Sequence, residues 1–239
     1  MIDGRLFIAT STGWLLLNPA DGRTATWHGT TDYRLPNSAS PCGQFVLEYD
    51  SPGVLHCWRL REDGLGLHRE LVWSRPRALI SAAPLFAPDA ERFAVCSWRP
   101  DQELRPWTVY RTADGQPLTQ LEGRESLYYW SLFTPNGGML LAGAKSRAHE
   151  WDARADGAGR LAVQHPNTRY FRGVAVHPGG TVLAGVTSDG VSLFDLAGGG
   201  LLRKYDWEFG YLKHVAFTPD GTRCVVAGAS GQVLLFDVE

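Results

Sequence analysis

The sequence predicts an all-β protein built from six tandem repeats, each folded as a small antiparallel sheet. A proline-containing turn recurs at Pro41, Pro88, Pro135, Pro178 and Pro219, with spacings of 47, 47, 43 and 41 residues. Short apolar runs rich in Val, Leu, Phe and Trp lie between turns that contain Gly, Asp or Asn, which is typical of β-strands joined by hairpins. No stretch shows convincing helical periodicity, so helices are expected to be nearly absent.

The repeat is clearest in the C-terminal half of the chain. Residues 215–221 read Val-Ala-Phe-Thr-Pro-Asp-Gly and correspond to residues 174–180 and 131–137, with weaker copies at 84–90 and 38–43. Residues 5–13 align with residues 223–231, so the N-terminal segment joins the repeat pattern out of phase. The predicted repeats span residues 1–29, 30–77, 78–125, 126–168, 169–208 and 209–239.

Each internal repeat is expected to contain four strands and each terminal repeat three, which gives twenty-two strands in all. The terminal strands are predicted near residues 5–10, 14–18 and 23–28 and near residues 213–218, 223–228 and 232–237. A four-stranded unit of about 40 residues cannot bury both of its faces alone, whereas units stacked around an axis can. The sequence therefore predicts a single β-propeller domain over residues 1–239.

The two terminal repeats cannot merge into one blade, because both contain a second and a third strand. We expect two incomplete blades side by side, or a ring completed by self-association or by another chain, since an exposed sheet edge invites pairing.

The repeat pattern resembles the WD40 repeat family. The matching positions are residues 217–221 and 225–228, together with the strand-ending pairs 151–152, 194–195 and 236–237. The resemblance covers essentially the whole chain, more closely over residues 127–239 than over 30–126, although the family's Gly-His dipeptide is missing from every copy. It implies a six-bladed WD40-like β-propeller of four-stranded antiparallel blades, with the first and last blades incomplete, that serves as a platform for a protein or peptide partner.

Composition excludes several classes of protein. The 23 basic and 25 acidic residues give a net charge of −2, which excludes a globally basic nucleic-acid binder. No apolar run approaches the roughly 20 residues of a membrane-spanning helix, and no signal-peptide pattern follows Met1. The four cysteines are scattered without a C-x-x-C pair, so we expect small buried side chains in a reducing, cytoplasmic setting.

Enzyme motifs are absent from the sequence. It contains no G-x-S-x-G, no P-loop and no helix-opening G-x-G-x-x-G, and no cofactor or metal site is expected. The alternative function is that of a small hydrolase- or lactonase-like propeller enzyme, or a ligand-binding protein, with its site in the central channel. The predicted inner strands offer only Asn37 and His214 for such a site.

Candidate binding residues lie in the loops that the WD40 resemblance places on one end of the blades, called the top. Aromatic and cationic residues recur there before the first strand of the last three repeats, and these residue types dominate protein interfaces. A ten-residue insertion at 97–106 extends the same end of the third repeat. Trp130 and Phe171 are expected instead to fill space between blades. The predicted partner-binding residues are Trp98, Arg99, Arg105, Tyr128, Tyr129, Lys145, Arg147, Arg169, Arg172, Tyr211 and Lys213. Binding of nucleic acid through this patch is the third possibility, and steep salt dependence would reveal it.

Overall fold

A computed structural model describes residues 6–10, 13–17, 21–22, 24–28, 38–50, 53–63, 66–76, 83–98, 101–167, 169–188, 190–207 and 210–238. The regular elements in these residues are all β-strands. The strand pairs whose register is described are all antiparallel. The chain divides into two compact units, Met1–Glu122 and Gly123–Glu239.

Unit 1 contains the strands of the first three repeats. The first sheet consists of β1 (Leu6–Thr10), β2 (Gly13–Leu17) and β3 (Thr24–His28). The second consists of β4 (Ser38–Ala39), β5 (Phe45–Tyr49), β6 (Leu55–Asp63) and β7 (Gly66–Arg75). The third includes β8 (Leu85–Phe86), β9 (Arg92–Cys96), β10 (Trp107–Arg111) and β11 (Pro117–Glu122).

Unit 2 contains the strands of the last three repeats. The fourth sheet consists of β12 (Trp130–Phe133), β13 (Met139–Ala144), β14 (Arg147–Asp152) and, after a short strand β15 (Gly157–Ala158), β16 (Arg160–Gln164). The fifth consists of β17 (Gly173–Val176), β18 (Val182–Thr187), β19 (Gly190–Asp195) and β20 (Leu201–Tyr205). The sixth consists of β21 (Leu212–Phe217), β22 (Arg223–Gly228) and β23 (Val233–Asp237).

The all-β class is confirmed for the described residues, as are four main strands in each internal repeat and three in each terminal repeat. The terminal strands lie within one residue of their predicted positions.

The proline turn has the same backbone geometry in all five copies. In the fourth repeat the Thr134 N–H donates to the Met139 carbonyl at 2.9 Å, and the Gly137 N–H donates back to the Thr134 carbonyl at 2.8 Å. The equivalent bonds of the other copies measure 2.7–2.9 Å. The residue that closes the turn has a left-handed φ between 58° and 78° in every copy, namely Gly43, Ala90, Gly137, Gly180 and Gly221. The sequence repeat is therefore a repeat of backbone conformation.

Buried apolar clusters join the second sheet to the third in unit 1, and the fourth to the fifth and the fifth to the sixth in unit 2. In unit 1, Leu47 and Tyr49 of the second sheet pack with Phe93 and Val95 of the third. In unit 2, one cluster joins the fourth and fifth sheets around Phe171 and Phe194, and another joins the fifth and sixth sheets. Each of these sheets thus buries apolar surface against its neighbour in the chain, which is the main stabilising term available to such short strands.

Candidate functional site

Three exposed residues of unit 2 lie directly before the first strand of a sheet. Tyr129, Arg172 and Tyr211 each immediately precede the first strand of their sheet, β12, β17 and β21. The Tyr129 N–H donates to the Gly143 carbonyl and the Arg172 N–H to the Val186 carbonyl, both at 2.9 Å. Tyr129 is 59% exposed, Tyr211 is 52% exposed and Arg172 is exposed as well. The fold therefore exposes a large side chain with a polar end directly before the first strand of each of these three sheets.

Arg172 and Tyr211 are in direct contact across the fifth and sixth sheets. The Arg172 guanidinium lies 3.7 Å from the centroid of the Tyr211 ring, and its Nη2 donates to the Tyr211 hydroxyl at 2.5 Å. A cation over an aromatic face gains electrostatic attraction from the ring quadrupole. The stacking also restricts the Arg172 side chain, so that this side chain loses less conformational entropy when a partner binds.

The backbone carbonyls of two lysines contact the residues on either side of Arg172. The Phe171 N–H donates to the Lys145 carbonyl at 2.9 Å, which places the β13–β14 turn next to the loop that carries Arg172. Gly173 lies directly against the Lys213 carbonyl, because a Cβ at this glycine would collide with that oxygen. We call the exposed residues of these neighbouring loops the aromatic–cationic face: Tyr129, Lys145, Arg169, Tyr170, Arg172, Tyr211 and Lys213.

Tyr128 does not belong to this face. It is 5% exposed, and its hydroxyl accepts hydrogen bonds from the N–H groups of Arg124 and Glu125 at 2.9 and 3.2 Å. Its ring meets the Trp151 ring edge-on, with centroids 6.0 Å apart. Sequence analysis placed Tyr128 with Tyr129 among the binding residues, but its burial makes it a support for the loop.

Arg147 is half-buried and engaged in an ion pair. Its Nη2 lies 3.1 Å from Glu125 Oε1, and the same carboxylate oxygen lies 2.9 Å from His149 Nε2. Glu125 and His149 are both buried. This cluster ties the loop before β12 to β14 and thereby fixes the backbone that presents Tyr129.

The two aromatic residues expected to fill space between sheets do so. Phe171 is buried in the cluster shared by the fourth and fifth sheets, and Trp130 packs against the same cluster. Their rings meet edge-on with centroids 6.3 Å apart.

The insertion in the third repeat belongs to unit 1. The Ser97 N–H donates to the Pro106 carbonyl at 3.0 Å, which closes the base of the loop. Trp98 is 40% exposed and Arg105 is half-buried. Arg99, also predicted to bind a partner, lies outside the described residues.

Unit 1 also contains a cleft of about 590 Å³ that sequence analysis missed. It opens between the proline turns of the second and third repeats, to which no function was assigned. The residues that define its character are Cys42, Phe45, Glu91, Arg92, Arg111 and Leu118. Arg92 and Arg111 are cross-strand partners on β9 and β10, and each is paired with an aspartate at 2.8 Å. No sequence motif marks the cleft, because its lining residues come from two different repeats.

The cysteines behave as predicted for small apolar side chains, with one exception. Cys57, Cys96 and Cys224 are buried, whereas Cys42 is exposed. Burial raises the pKa of the Cys57 thiol and of the Cys224 thiol to about 12, so neither thiol is a nucleophile at neutral pH. In the described part of the chain, the side chains of His, Cys, Asp and Glu do not form a group of three or more that could hold a metal ion.

Comparison of the chain with protein-family models and with curated proteins gives no match. Among the residues described here, no helix has the length and apolar character needed to cross a membrane.

Proposed function

We propose that the protein is a non-enzymatic binding platform, a six-bladed WD40-like β-propeller that docks a protein or peptide partner on its aromatic–cationic face. Sheets that pack on their neighbours in the chain, with an identical turn in five repeats, support the propeller architecture. The fold alone does not determine a function, which depends on the chemistry of the residues at the site.

The observation that supports the proposal is that three exposed residues, Tyr129, Arg172 and Tyr211, directly precede the first strands of their sheets. Tyr and Arg are among the residue types most enriched at interface hot spots, since they bury large areas at a modest loss of side-chain entropy. These three are held on backbone positions fixed by sheet hydrogen bonds, and Arg172 is already stacked on Tyr211. Exposed side chains on a fixed backbone are pre-organised for binding, because less conformational entropy is lost when a partner docks.

The test uses peptides selected from a displayed random library on the immobilised full-length chain. The double variant Tyr129→Ala/Arg172→Ala should bind the selected peptides more weakly by about 2 kcal/mol or more, as measured by calorimetry. Its melting temperature should stay nearly unchanged, because exposed substitutions usually cost less than about 0.5 kcal/mol.

The matched control is Arg154→Ala/Leu161→Ala, which removes an exposed cation and an exposed apolar side chain from the fourth sheet outside the face. It should bind like the unaltered protein. Selected peptides that bind the double variant as tightly as the original chain would contradict the proposal.

A further inference from the structure

We infer that the partner offers an acidic segment to the aromatic–cationic face: a stretch of peptide with several carboxylates and with apolar side chains between them. This inference rests on the function proposed above and specifies the chemistry of the partner.

Three cations of the face have no ion-pair partner among the described residues. Lys145, Arg172 and Lys213 stand on neighbouring loops, and no carboxylate of the described residues forms an ion pair with any of them. The contact of Arg172 is with the ring and the hydroxyl of Tyr211 and not with a carboxylate. Three neighbouring cations without an opposite charge raise the local positive potential and attract an anionic partner.

Three exposed cations outside the face are each paired with a carboxylate. Arg61 pairs with Glu70 at 2.9 Å, Arg111 with Asp114 at 2.8 Å and Lys204 with Asp206 at 2.6 Å. The whole chain carries a net charge of −2. The positive charge of the face is therefore a local feature, and general basicity of the protein does not account for it.

The Arg172 guanidinium keeps hydrogen-bond donors for a partner. The Arg172 guanidinium uses one N–H on the Tyr211 hydroxyl, and the planar group keeps further N–H donors for a carboxylate, which arginine can bind with two parallel hydrogen bonds. Lys145 and Lys213 add single charges on the two loops whose backbones contact Phe171 and Gly173. A carboxylate bound at Arg172 would have a second and a third cation near it for neighbouring acidic side chains.

The same face also exposes apolar surface. Tyr129, Tyr170 and Tyr211 are each more than half exposed. Their rings offer flat apolar faces beside the cations, and such faces gain most when apolar side chains cover them. A peptide that alternates acidic and apolar residues matches both parts of this surface, whereas the phosphate backbone of a nucleic acid matches only the charges.

The experiment measures fluorescence anisotropy of a labelled peptide of four Glu-Leu-Ser repeats with the full-length chain. Two further probes are compared with it, the same peptide with Gln for Glu and a single-stranded oligothymidylate of equal length. The acidic peptide should bind about tenfold more tightly than the Gln peptide, and Lys145→Glu, Arg172→Glu and Lys213→Glu should each lower its affinity about tenfold. Arg154→Glu, which makes the same change of charge outside the face, should leave the affinity within about twofold.

Two outcomes would overturn the inference. Equal affinity for the Glu and Gln peptides, with library peptides still dependent on Tyr129 and Arg172, would reject an acidic partner and leave the binding platform intact. Tighter binding of the oligothymidylate, with displacement of the acidic peptide, would assign the face to nucleic acid. If neither the library peptides nor the acidic peptide depends on the face, the proposed function fails as well.

Discussion

Two glycines in unit 2 make room for an aromatic side chain that belongs to the preceding loop or first strand. Gly143 on β13 faces the Trp130 ring, and Gly185 on β18 faces the Phe171 ring. A Cβ added at Gly185 would stand 2.5 Å from Phe171 Cε1, well inside contact distance. The glycine of the Ala-Gly pair in the second strand of these two repeats is therefore required for an aromatic side chain of the same repeat to pack against that strand.

Gly185→Ala should lower the free energy of unfolding by about 1–3 kcal/mol, because the new methyl group forces Phe171 out of its place in the core. Denaturation with urea measures the change. Gly200→Ala is the control, since a Cβ there meets no atom within 4 Å, and it should change stability by less than about 0.5 kcal/mol. Equal stability of the two variants would show that Phe171 has room to move.

The adjacent residues Tyr128 and Tyr129 allow a comparison between a buried and an exposed hydroxyl. Tyr128→Phe leaves the N–H groups of Arg124 and Glu125 without their acceptor, which should cost about 1–3 kcal/mol and lower the melting temperature. Tyr129→Phe should leave the melting temperature nearly unchanged, because this side chain is mostly exposed. A larger loss of stability in the Tyr129 variant would mean that the two roles are reversed.

At the scale of the element, the proline turn shows how the repeat tolerates different side chains at one position. In the sixth repeat the Thr218 hydroxyl donates to Asp220 Oδ1 at 2.5 Å, and the Thr222 N–H donates to the same oxygen at 3.1 Å. In the fourth repeat Asn136 Oδ1 accepts the corresponding bonds from Thr134 and Gly138 at 2.8 and 2.9 Å. Either side chain caps the turn.

The carboxylate in this turn makes stability depend on acid. The hydrogen bond from the Thr218 hydroxyl, together with those from Thr222, holds the pKa of Asp220 below its ordinary value. A carboxyl whose pKa is lower in the folded state stabilises the fold above its unfolded pKa, about 3.9, and this contribution is lost as the pH falls through the folded value.

Asp220→Asn should keep the capping bonds, as Asn136 does, and remove this titration. The variant should match the unaltered protein in urea unfolding at pH 7 and should lose less stability between about pH 4 and about pH 2. Asp101→Asn, at an exposed residue that makes no hydrogen bond or ion pair in the described part of the chain, should not reduce the acid-induced loss. An unchanged loss in the Asp220 variant would show that other groups account for the acid sensitivity.

Strands and turns could be predicted because their signals are local. Each proline turn is specified by four or five consecutive residues, and the strands follow from the apolar runs between turns, so their positions agree to within a residue at both ends of the chain. Which of Tyr128 and Tyr129 is exposed could not be predicted, because two adjacent residues carry the same composition signal and only contacts with Trp151 and the loop backbone separate them. The cleft beside Cys42 was missed for a related reason, since its walls come from two repeats.

At the scale of the whole molecule, the proposed ring requires that the first and sixth sheets be neighbours. The sixth sheet packs on the fifth through the cluster that contains Leu212 and Val226. Its third strand, β23, also carries Val233 and Leu235, both more than half exposed. In a closed propeller this apolar surface would face the first sheet, so that burial of Val233 and Leu235 would help to stabilise the ring.

The most direct test of the propeller is the distance between the first and sixth sheets, measured by double electron–electron resonance between spin labels. Labels replace Thr24 on β3 and Gln232, the exposed residue directly before β23, in a chain with Cys42→Ser. A second pair at Leu202 on β20 and Gln232 supplies the distance between neighbouring sheets. The propeller predicts overlapping distance distributions for the two pairs, because neighbouring sheets pack about 10 Å apart throughout a closed ring. A mean Thr24–Gln232 distance that exceeds the mean Leu202–Gln232 distance by about 20 Å or more, equivalent to at least two further sheet spacings, would contradict the ring.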